Sequence, residues 1–209
     1  MIKGIYTSAS GMLSTQRRLD IISNNLANAN TSGYKKESAV KESFPEMVMQ
    51  KIEGNSREEI GELGTGVRLE QSYTDFSMGS KRRTGNQLDM AIKGDGFFAV
   101  ETPTGQKYTK NGNFSLNRDG QIITQQGYPV LGENGEPIQT IEGRDINIDQ
   151  DGQVYLGELE ADSIQVVDFA NREELVKSGE NLFTYNGDQA DIQQTEDYQL
   201  LQGYLEGSN

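Results

Sequence analysis

The sequence predicts a mainly β protein, in which an antiparallel domain of short strands follows one N-terminal α-helix. Three observations support this prediction. Apolar side chains recur with helical spacing most clearly in the first 30 residues. From Leu88 onward, short apolar runs alternate with Gly-containing turn pairs, which is typical of antiparallel strands. The hydrophobic fraction is 33% and the chain holds 24 Gly and no Trp, so we expect a modest core with many turns.

The first predicted element is a helix that carries a narrow apolar stripe. Its side chains alternate at spacings of three and four, the period of a coiled-coil seam, so this helix is expected to pack against another helix. The predicted seam consists of Ile5, Ala9, Met12, Leu19, Ile22 and Leu26, with polar Gln16 in the slot between Met12 and Leu19. Short polar residues and Gly33 follow, and they favour a helix end near Ala29.

The next segment, residues 37–65, is predicted to be a connection with a short helix. Ser43 can cap a helix that runs to Gly54, with Pro45 in its first turn and Val48 and Ile52 on its apolar side. The charged, Gly-rich stretch that follows is expected to be an exposed loop. Alternation over Val67–Thr74 predicts a strand, which opens the predicted β domain of residues 66–209.

Nine further strands and one small helix are predicted in the β domain. The strands are Leu88–Lys93, Phe97–Glu101, Lys107–Lys110, Phe114–Leu116, Ile122–Gln125, Pro129–Leu131, Ile146–Ile148, Val154–Leu156 and Ile164–Asp168. Asn-Gly and Asp-Gly pairs between them fit tight hairpins. Arg172–Lys177 is expected to be helical, with Asn171 as its cap and Glu174 completing a capping box. Leu182–Tyr185 returns to the sheet, and residues 186–199 are expected to form a loose surface connection.

Composition excludes several function classes. The chain has no Cys and no His, which removes thiol chemistry, disulfides and the commonest neutral-pH acid/base catalyst. The net charge is −13, and residues 1–51 carry seven Lys or Arg against four Asp or Glu, so the acidity lies in residues 52–209. This excess of negative charge argues against nucleic acid or an anionic membrane as a partner of residues 52–209. No apolar run approaches a membrane span, and taken alone these features indicate a cytosolic protein.

Three motifs admit both a chemical and a structural interpretation. Asp149-Gln-Asp-Gly152 begins like a calcium loop with Glu160 at its twelfth position, but the predicted strands on both sides favour a hairpin turn. Gly94-Asp-Gly96 lacks the spacing of a phosphate loop and is interpreted as a turn. Lys81-Arg-Arg83 is either an exposed loop or an electrostatic contact with an acidic neighbour. No catalytic, cofactor-binding or metal-binding residues are predicted.

Two stretches resemble one known family. Leu19–Lys36, LDIISNNLANANTSGYKK, resembles the N-terminal signature of bacterial flagellar axial proteins, the rod and hook subunits. Residues of this signature include Asn24, Asn25, Leu26, Ala27, Asn28, Gly33, Tyr34 and Lys35, with Ala9 and Met12 upstream. Residues 84–132 resemble the β core of the same proteins, with matching positions at Gly85, Asn86, Leu88, Asp89, Gly94, Gly96, Phe97 and Phe98.

The resemblance also bears on the C-terminal end of the chain. Residues 179–183 and 202–209 match closing segments of the family, and the whole pattern is closest to the rod and hook-basal-body branch. In that family a C-terminal heptad helix follows and packs against the N-terminal helix. This sequence ends at Asn209, so a truncated chain is the favoured interpretation, and the stripe of residues 5–26 then lacks its partner helix.

The resemblance implies a structural subunit of the flagellar basal-body rod or rod–hook junction, which self-assembles into a helical tube for motility. The implied partners are its own copies, other flagellar axial proteins and the flagellar type III export apparatus, with no nucleic acid and no direct membrane insertion. The implied location is the flagellar basal body, reached without a cleaved signal peptide. The alternative is a secreted surface or binding module that uses the N-terminal segment only for export. An enzyme such as a wall hydrolase is the least favoured interpretation.

Overall fold

The computed structural model describes residues 2–43, 47–53, 56–63, 67–141, 145–195 and 198–209. The chain divides into two compact units. Unit 1 consists of Met1–Ala27 with Lys36–Asp75, and unit 2 consists of Asn28–Lys35 with Phe76–Asn209. Strands and one N-terminal helix dominate the described residues, which confirms the predicted fold class. The predicted division into segments 1–36, 37–65 and 66–209 stays a prediction.

Unit 1 contains one long helix and four strands. Helix α1 spans Ile2–Ala27, two residues short of the predicted end. The strands are β1 (Glu37–Ser43), β2 (Met47–Glu53), β3 (Ser56–Leu63) and β4 (Val67–Thr74). β1 pairs with β4 and β2 pairs with β3, both antiparallel, and α1 contacts β1 and β4. In the described part of the chain, no helix has the length and apolar character of a bilayer span.

The predicted short helix between Ser43 and Gly54 is wrong, because Met47–Glu53 is a strand. Pro45 and Gly54, which the prediction used, lie outside the described residues. The loop predicted after it contains strand β3, paired with β2 from Met47–Leu63 to Glu53–Ser56. A helix of two or three turns is marginal by itself, so antiparallel pairing, which satisfies the backbone groups of both strands, decides the structure. The predicted strand Val67–Thr74 is confirmed with the same bounds.

Unit 2 is built from short antiparallel strands. They are β5 (Lys81–Arg83), β6 (Met90–Gly94), β7 (Phe97–Thr102), β8 (Gly105–Thr109), β9 (Phe114–Leu116), β10 (Ile122–Thr124), β11 (Ile146–Ile148), β12 (Gln153–Leu156), β13 (Leu159–Ser163), β14 (Val166–Phe169), β15 (Leu175–Lys177), β16 (Leu182–Tyr185), β17 (Ile192–Gln194), β18 (Tyr198–Gln202) and β19 (Tyr204–Glu206). The largest sheet has the order β15-β16-β8-β7-β14-β17, and a second has the order β11-β12-β13. β9 pairs with β10, β6 with β18 and β5 with β19.

Strand β7 separates two hydrophobic clusters. Phe98 and Val100 belong to a large aliphatic cluster, while Phe97 and Ala99 belong to an aromatic cluster with Phe169. Successive side chains of a strand point to opposite faces, so the apolar run FFAV is buried on both sides. Full burial of each large side chain stabilises the fold by about 1.5–3 kcal/mol. β7 is therefore the central strand of unit 2.

Most predicted strands of unit 2 are confirmed, and three predictions need correction. Pro129–Leu131 forms isolated bridges only, among them Val100 with Val130. Residues 186–199, predicted to be a loose connection, contain a 3-10 turn, β17 and the start of β18. The predicted helix Arg172–Lys177 is a single 3-10 turn, Arg172–Glu174, followed by β15.

Asn171 nevertheless caps that 3-10 turn as predicted. Its side-chain oxygen accepts a hydrogen bond from the Glu173 backbone N at 3.2 Å. The helix does not continue because Leu175 is buried and pairs with Tyr185 in the neighbouring strand β16. Burial and strand pairing thus override a capping signal that is read locally.

Candidate assembly site

The predicted seam lies along one exposed face of α1. Its five large side chains are 48–75% exposed, namely Ile5, Met12, Leu19, Ile22 and Leu26. Ala9 is also exposed, and Tyr6 and Leu13 widen the apolar surface. We call this surface the α1 stripe. The helix has 26 residues, so the stripe extends over most of a length of about 39 Å.

The opposite face of α1 is the one that packs within unit 1. Ser10, Ser14, Ile21 and Asn25 are buried or half-buried on this face, which lies about 180° around the helix from the centre of the stripe. Asn25 exchanges two hydrogen bonds with the Glu37 backbone of β1: its Nδ2 donates to the carbonyl at 2.8 Å, and its Oδ1 accepts from the N at 3.0 Å. The helix therefore packs mainly through small and polar side chains and leaves its apolar side exposed.

This orientation is the reverse of that expected for a surface helix of a monomeric protein. An apolar patch of this length is unfavourable in water, and patches of this kind usually mark interaction surfaces. The packed face of α1, in contrast, buries a polar group: the Ser14 side chain is buried, and its hydroxyl has no hydrogen-bond partner among the described residues. The geometry thus supports a second surface that covers the stripe.

The second half of the predicted signature belongs to unit 2 and forms a tight turn. The Thr31 N donates to the Asn28 carbonyl at 3.0 Å. Gly33 has φ +69° and lies against the chain at Asn111, where a Cβ would be 2.4 Å from the backbone N. Its own N donates to the Glu206 carbonyl at 2.8 Å. A side chain at position 33 is therefore excluded by both space and backbone conformation.

Lys35 and Glu206 form a buried ion pair inside unit 2. The Nζ to Oε1 distance is 2.7 Å, and the two side chains are 0% and 1% exposed. Lys35 also donates to the Ser77 carbonyl at 2.8 Å, and the Gly79 N donates to the same Glu206 oxygen at 2.7 Å. The pair joins the signature segment to β19, the closing strand of the unit. Sequence reasoning assigned Lys35 to the signature but missed Glu206, whose only signal was an acidic residue in the closing match.

Lys177 also binds this segment. Its Nζ lies 4.3 Å from the centroid of the Tyr34 ring and donates to the Lys35 carbonyl at 2.6 Å. The Tyr34 ring is buried. Gly33, Tyr34 and Lys35 therefore stabilise the end of the signature, whereas Leu26 and Ala27 remain exposed on α1.

The predicted β-core positions also contribute to the fold. Asn86 donates from its Nδ2 to buried Asp89 at 3.2 Å, and the Gly203 N donates to the Asp89 carbonyl at 2.7 Å. Gly96 has φ +126°, and a Cβ there would lie 2.6 Å from Val166 Cγ1. The other predicted positions lie in the same unit. Gly85 has a positive φ of +78°, Leu88 packs on the aliphatic cluster and Gly94 ends β6. Phe97 and Phe98 lie in the two clusters.

Lys110 is a buried cation that sequence reasoning missed. It follows strand β8, its side chain lies over the Phe97 ring at 5.1 Å, and its Nζ is 3.4 Å from the Gly94 carbonyl oxygen. Burial lowers the pKa of Lys110 to about 8, partly opposed by the charge of Glu206. Its sequence context, at the edge of an Asn-Gly turn, gave no signal of burial.

The predicted hairpin interpretation of Asp149–Gly152 is confirmed. The Asp149 Oδ1 accepts from the backbone N of Asp151 at 3.0 Å and of Gln153 at 2.9 Å, between the paired strands β11 and β12. One carboxylate oxygen is therefore engaged by the turn itself. The described residues contain no group of three or more His, Cys, Asp or Glu placed to hold a metal ion.

Comparison with known proteins agrees with the resemblance of both stretches. A family model described as flagella basal body rod protein matches residues 5–35, and one described as flagellar hook protein FlgE/F/G D1 domain matches residues 91–156. The first covers α1 from Ile5 to its end, together with the signature turn. The second runs from β6 to β12.

Several curated relatives match most of the chain. Flagellar basal-body rod protein FlgG of Bacillus subtilis (strain 168) is 37% identical over 196 residues, covering 88% of this chain and 73% of the relative. Flagellar basal-body rod protein FlgF of Caulobacter vibrioides is 34% identical over 211 residues, covering 100% and 83%. Flagellar basal-body rod protein FlgG of Buchnera aphidicola subsp. Schizaphis graminum is 36% identical, covering 100% and 86%.

Proposed function

Because the chain belongs to the flagellar basal-body rod protein family, we propose that it is a structural subunit of the flagellar rod or of the rod–hook junction. It assembles with its own copies and with other flagellar axial proteins into a helical tube. The observation that carries this proposal is the exposed α1 stripe, which lies opposite the face that α1 uses within its own unit.

The stripe gives a physical mechanism for assembly. Side chains at alternating spacings of three and four interlock with a second helix as knobs into holes, and this contact removes apolar surface from water. A contact between two different surfaces that does not close on itself generates an open helical array. Each added subunit covers an apolar face whose exposure to water is unfavourable. Burial of apolar surface therefore drives both the folding of the chain and the growth of the array.

The segments have separate roles in this proposal. Residues 1–36 form the axial helix and its signature, residues 37–65 connect, and residues 66–209 form the β domain that makes lateral contacts. The family signature after the helix keeps its ordered turn through Gly33, Tyr34 and Lys35.

Export follows from the same assignment. We propose that the chain leaves through the flagellar type III export apparatus without a cleaved signal peptide and then assembles in the basal body. The lack of Cys suits passage as an unfolded chain, because no disulfide has to be reduced beforehand. A helix that covers its apolar side only after assembly suits the same route.

The test combines localisation with a seam variant. In the parent strain, immunogold labelling of purified basal bodies with an antibody against residues 84–205 should mark the rod or its junction with the hook. Met12→Glu with Leu26→Glu places two charges in the α1 stripe, so we expect loss of incorporation into basal bodies and loss of swimming. Both side chains are exposed, so the folded β domain should be unaffected.

Arg17→Glu is the matched control. It changes the net charge by the same amount as the double variant, and Arg17 is exposed on α1 outside the stripe. We expect it to incorporate normally. Protein found in the medium or on the cell surface, with none in intact or dissociated basal bodies, would overturn the proposal in favour of a secreted binding module. Equal incorporation of the seam variant would overturn the role of the stripe.

A further inference from the structure

Unit 2 carries positive charge on β5 that is unusual in this acidic chain. Lys81, Arg82 and Arg83 form the whole strand, which pairs with β19, and both arginines are exposed. Lys81 contacts the Met78 sulfur at 2.9 Å. Across the described residues, Arg82 and Arg83 form no ion pair. This strand is therefore a basic surface whose arginine charges are not neutralised by any described residue of its own subunit.

The opposite charge is concentrated in another part of unit 2. Residues 133–163 hold nine Asp or Glu and one Arg. Within this stretch, Asp149, Asp151 and Glu160 lie around the Tyr155 side chain on β12. The pKa of Tyr155 is raised, mainly by its partial burial and to a smaller extent by these three negative charges. Burial, and after it the charges of Glu133, Asp151 and Asp149, raise the pKa of Tyr198. We call Glu133, Asp149, Asp151, Glu160 and Asp162 the acidic face.

A groove adjoins the acidic face at Asp162. Its volume is about 430 Å³, and it is lined by Asn134, Glu136, Pro137, Gln139, Ala161 and Asp162. Exposed carboxylates beside a groove suit guanidinium groups, which donate paired hydrogen bonds to carboxylates. No ion pair joins this face to a described Lys or Arg of the same chain. The two surfaces are thus complementary in charge, and neither has an ion-pair partner among the described residues of the subunit.

We propose that β5 of one subunit docks on the acidic face of a second copy, as a head-to-tail lateral contact of the β domain. This inference rests on the proposed function, since it supplies a second contact for the same assembly. Two different surfaces of one chain are used, so the contact repeats without closing and favours an open array. Complementary charge sets the register and speeds the encounter, while the α1 stripe contributes apolar burial.

The experiment is a charge swap in the full chain, measured by sedimentation velocity over a protein-concentration series at low and high salt. Arg82→Glu with Arg83→Glu reverses the basic strand. Glu133→Lys, Asp151→Lys and Glu160→Lys together replace three of the five carboxylates and so reverse the sign of the acidic face, and they leave the Asp149 turn intact. We expect each of these two variants to lower the self-association constant by about tenfold or more, and high salt to weaken the wild-type association in the same direction.

Restoration is the decisive result. The variant that carries all five changes, and an equimolar mixture of the β5 variant and the acidic-face variant, should both recover association, because each reversed surface then meets an oppositely charged one. The control, Lys93→Glu with Arg118→Glu, changes net charge as much as the β5 variant does at two other exposed positions. It should associate like the wild type.

Three outcomes would overturn the contact: wild-type chain without salt-sensitive self-association, a control that loses association equally, or charge-swapped chains that recover none. If the swap fails while Met12→Glu with Leu26→Glu still blocks incorporation into basal bodies, the β5 contact is wrong and the rod function stands. If the wild-type chain is absent from basal bodies, the proposed function itself fails.

Discussion

At the scale of single residues, unit 2 depends on buried charge to an unusual degree for so small a core. Lys35 and Glu206 are both buried, and Lys110 is buried near them. Taking charges out of water is costly, so such groups are tolerated only with well-placed partners. The second Glu206 oxygen, Oε2, has no hydrogen-bond partner among the described residues. The negative charge of the Glu206 carboxylate therefore depends on Lys35 for its compensation.

Lys35→Met should destabilise unit 2 by about 3–5 kcal/mol, because it leaves the Glu206 carboxylate buried without its cation. Urea denaturation followed by circular dichroism measures the change. The double change Lys35→Met with Glu206→Met should recover much of the loss, since no unpaired charge remains. Lys36→Met is the neighbouring control: its ion pair with Asp75 is partly exposed, and losing it should cost less than about 1 kcal/mol. A Lys35 variant as stable as this control would contradict the prediction.

Lys110 predicts a pH dependence with a definite sign. Its pKa is about 8 in the folded chain against 10.5 for the free side chain, so the unfolded state binds the proton more tightly. The free energy of unfolding should therefore rise between pH 8 and pH 10.5, by up to about 3 kcal/mol. Tyrosines with raised pKa values, such as Tyr108, act in the opposite direction at the upper end of this range.

Lys110→Met removes the contribution of Lys110 to the pH dependence of the unfolding free energy. The wild-type and variant unfolding free energies, measured from pH 7 to pH 10, should converge as pH rises, with the variant more stable at pH 7. A constant difference across this range would show that Lys110 has an ordinary pKa.

At the scale of elements, α1 is stabilised less by its own sequence than its length suggests. It contains Gly4 and Gly11 in its interior, and a Cβ at either position would meet nothing within 4 Å. Interior Gly is unfavourable in a helix because it loses more backbone entropy than Ala on folding. Nothing within the described chain requires these two glycines, so α1 is a helix whose stability in the isolated chain can be raised.

Gly11→Ala should stabilise α1 by about 0.5–1 kcal/mol in the isolated chain. Amide hydrogen exchange along Met12–Leu26 reports this as slower exchange. Gly33→Ala is the informative counterpart, because its positive φ and the contact at Asn111 make the same substitution destabilising. Unchanged exchange in Gly11→Ala, or a stable Gly33→Ala chain, would contradict the assignment.

At the scale of the whole molecule, the proposed assembly uses two exposed surfaces, one apolar and one positively charged. The α1 stripe is apolar and exposed, and the exposed arginines of β5 have no anionic partner in the described residues. Each unit nevertheless has its own internal organisation, with α1 on the β1–β4 ribbon in one and β7 between two clusters in the other. Folding and assembly are thus divided between different faces of the same elements.

Local sequence signals determined the fold class, the helix and most strands of unit 2. Turn pairs such as Asp119-Gly120 act through the backbone freedom of Gly, and the observed φ of +77° at Gly120 shows why they could be read. The α1 stripe was equally legible, since helical spacing depends only on neighbouring turns. The signature residues were identified by resemblance, but their structural roles were not.

Only the tertiary structure decided what depends on residues far apart in the chain. Met47 of β2 pairs with Leu63 of β3, and this pairing makes strands of a segment in which local signals favoured a helix and a loop. Lys35 meets Glu206 across 171 positions, and Lys110 is buried by strands that its own neighbourhood does not contain. Spacing and turn chemistry are properties of a few consecutive residues, whereas strand pairing, desolvation and ion pairing require the folded chain to bring distant groups together.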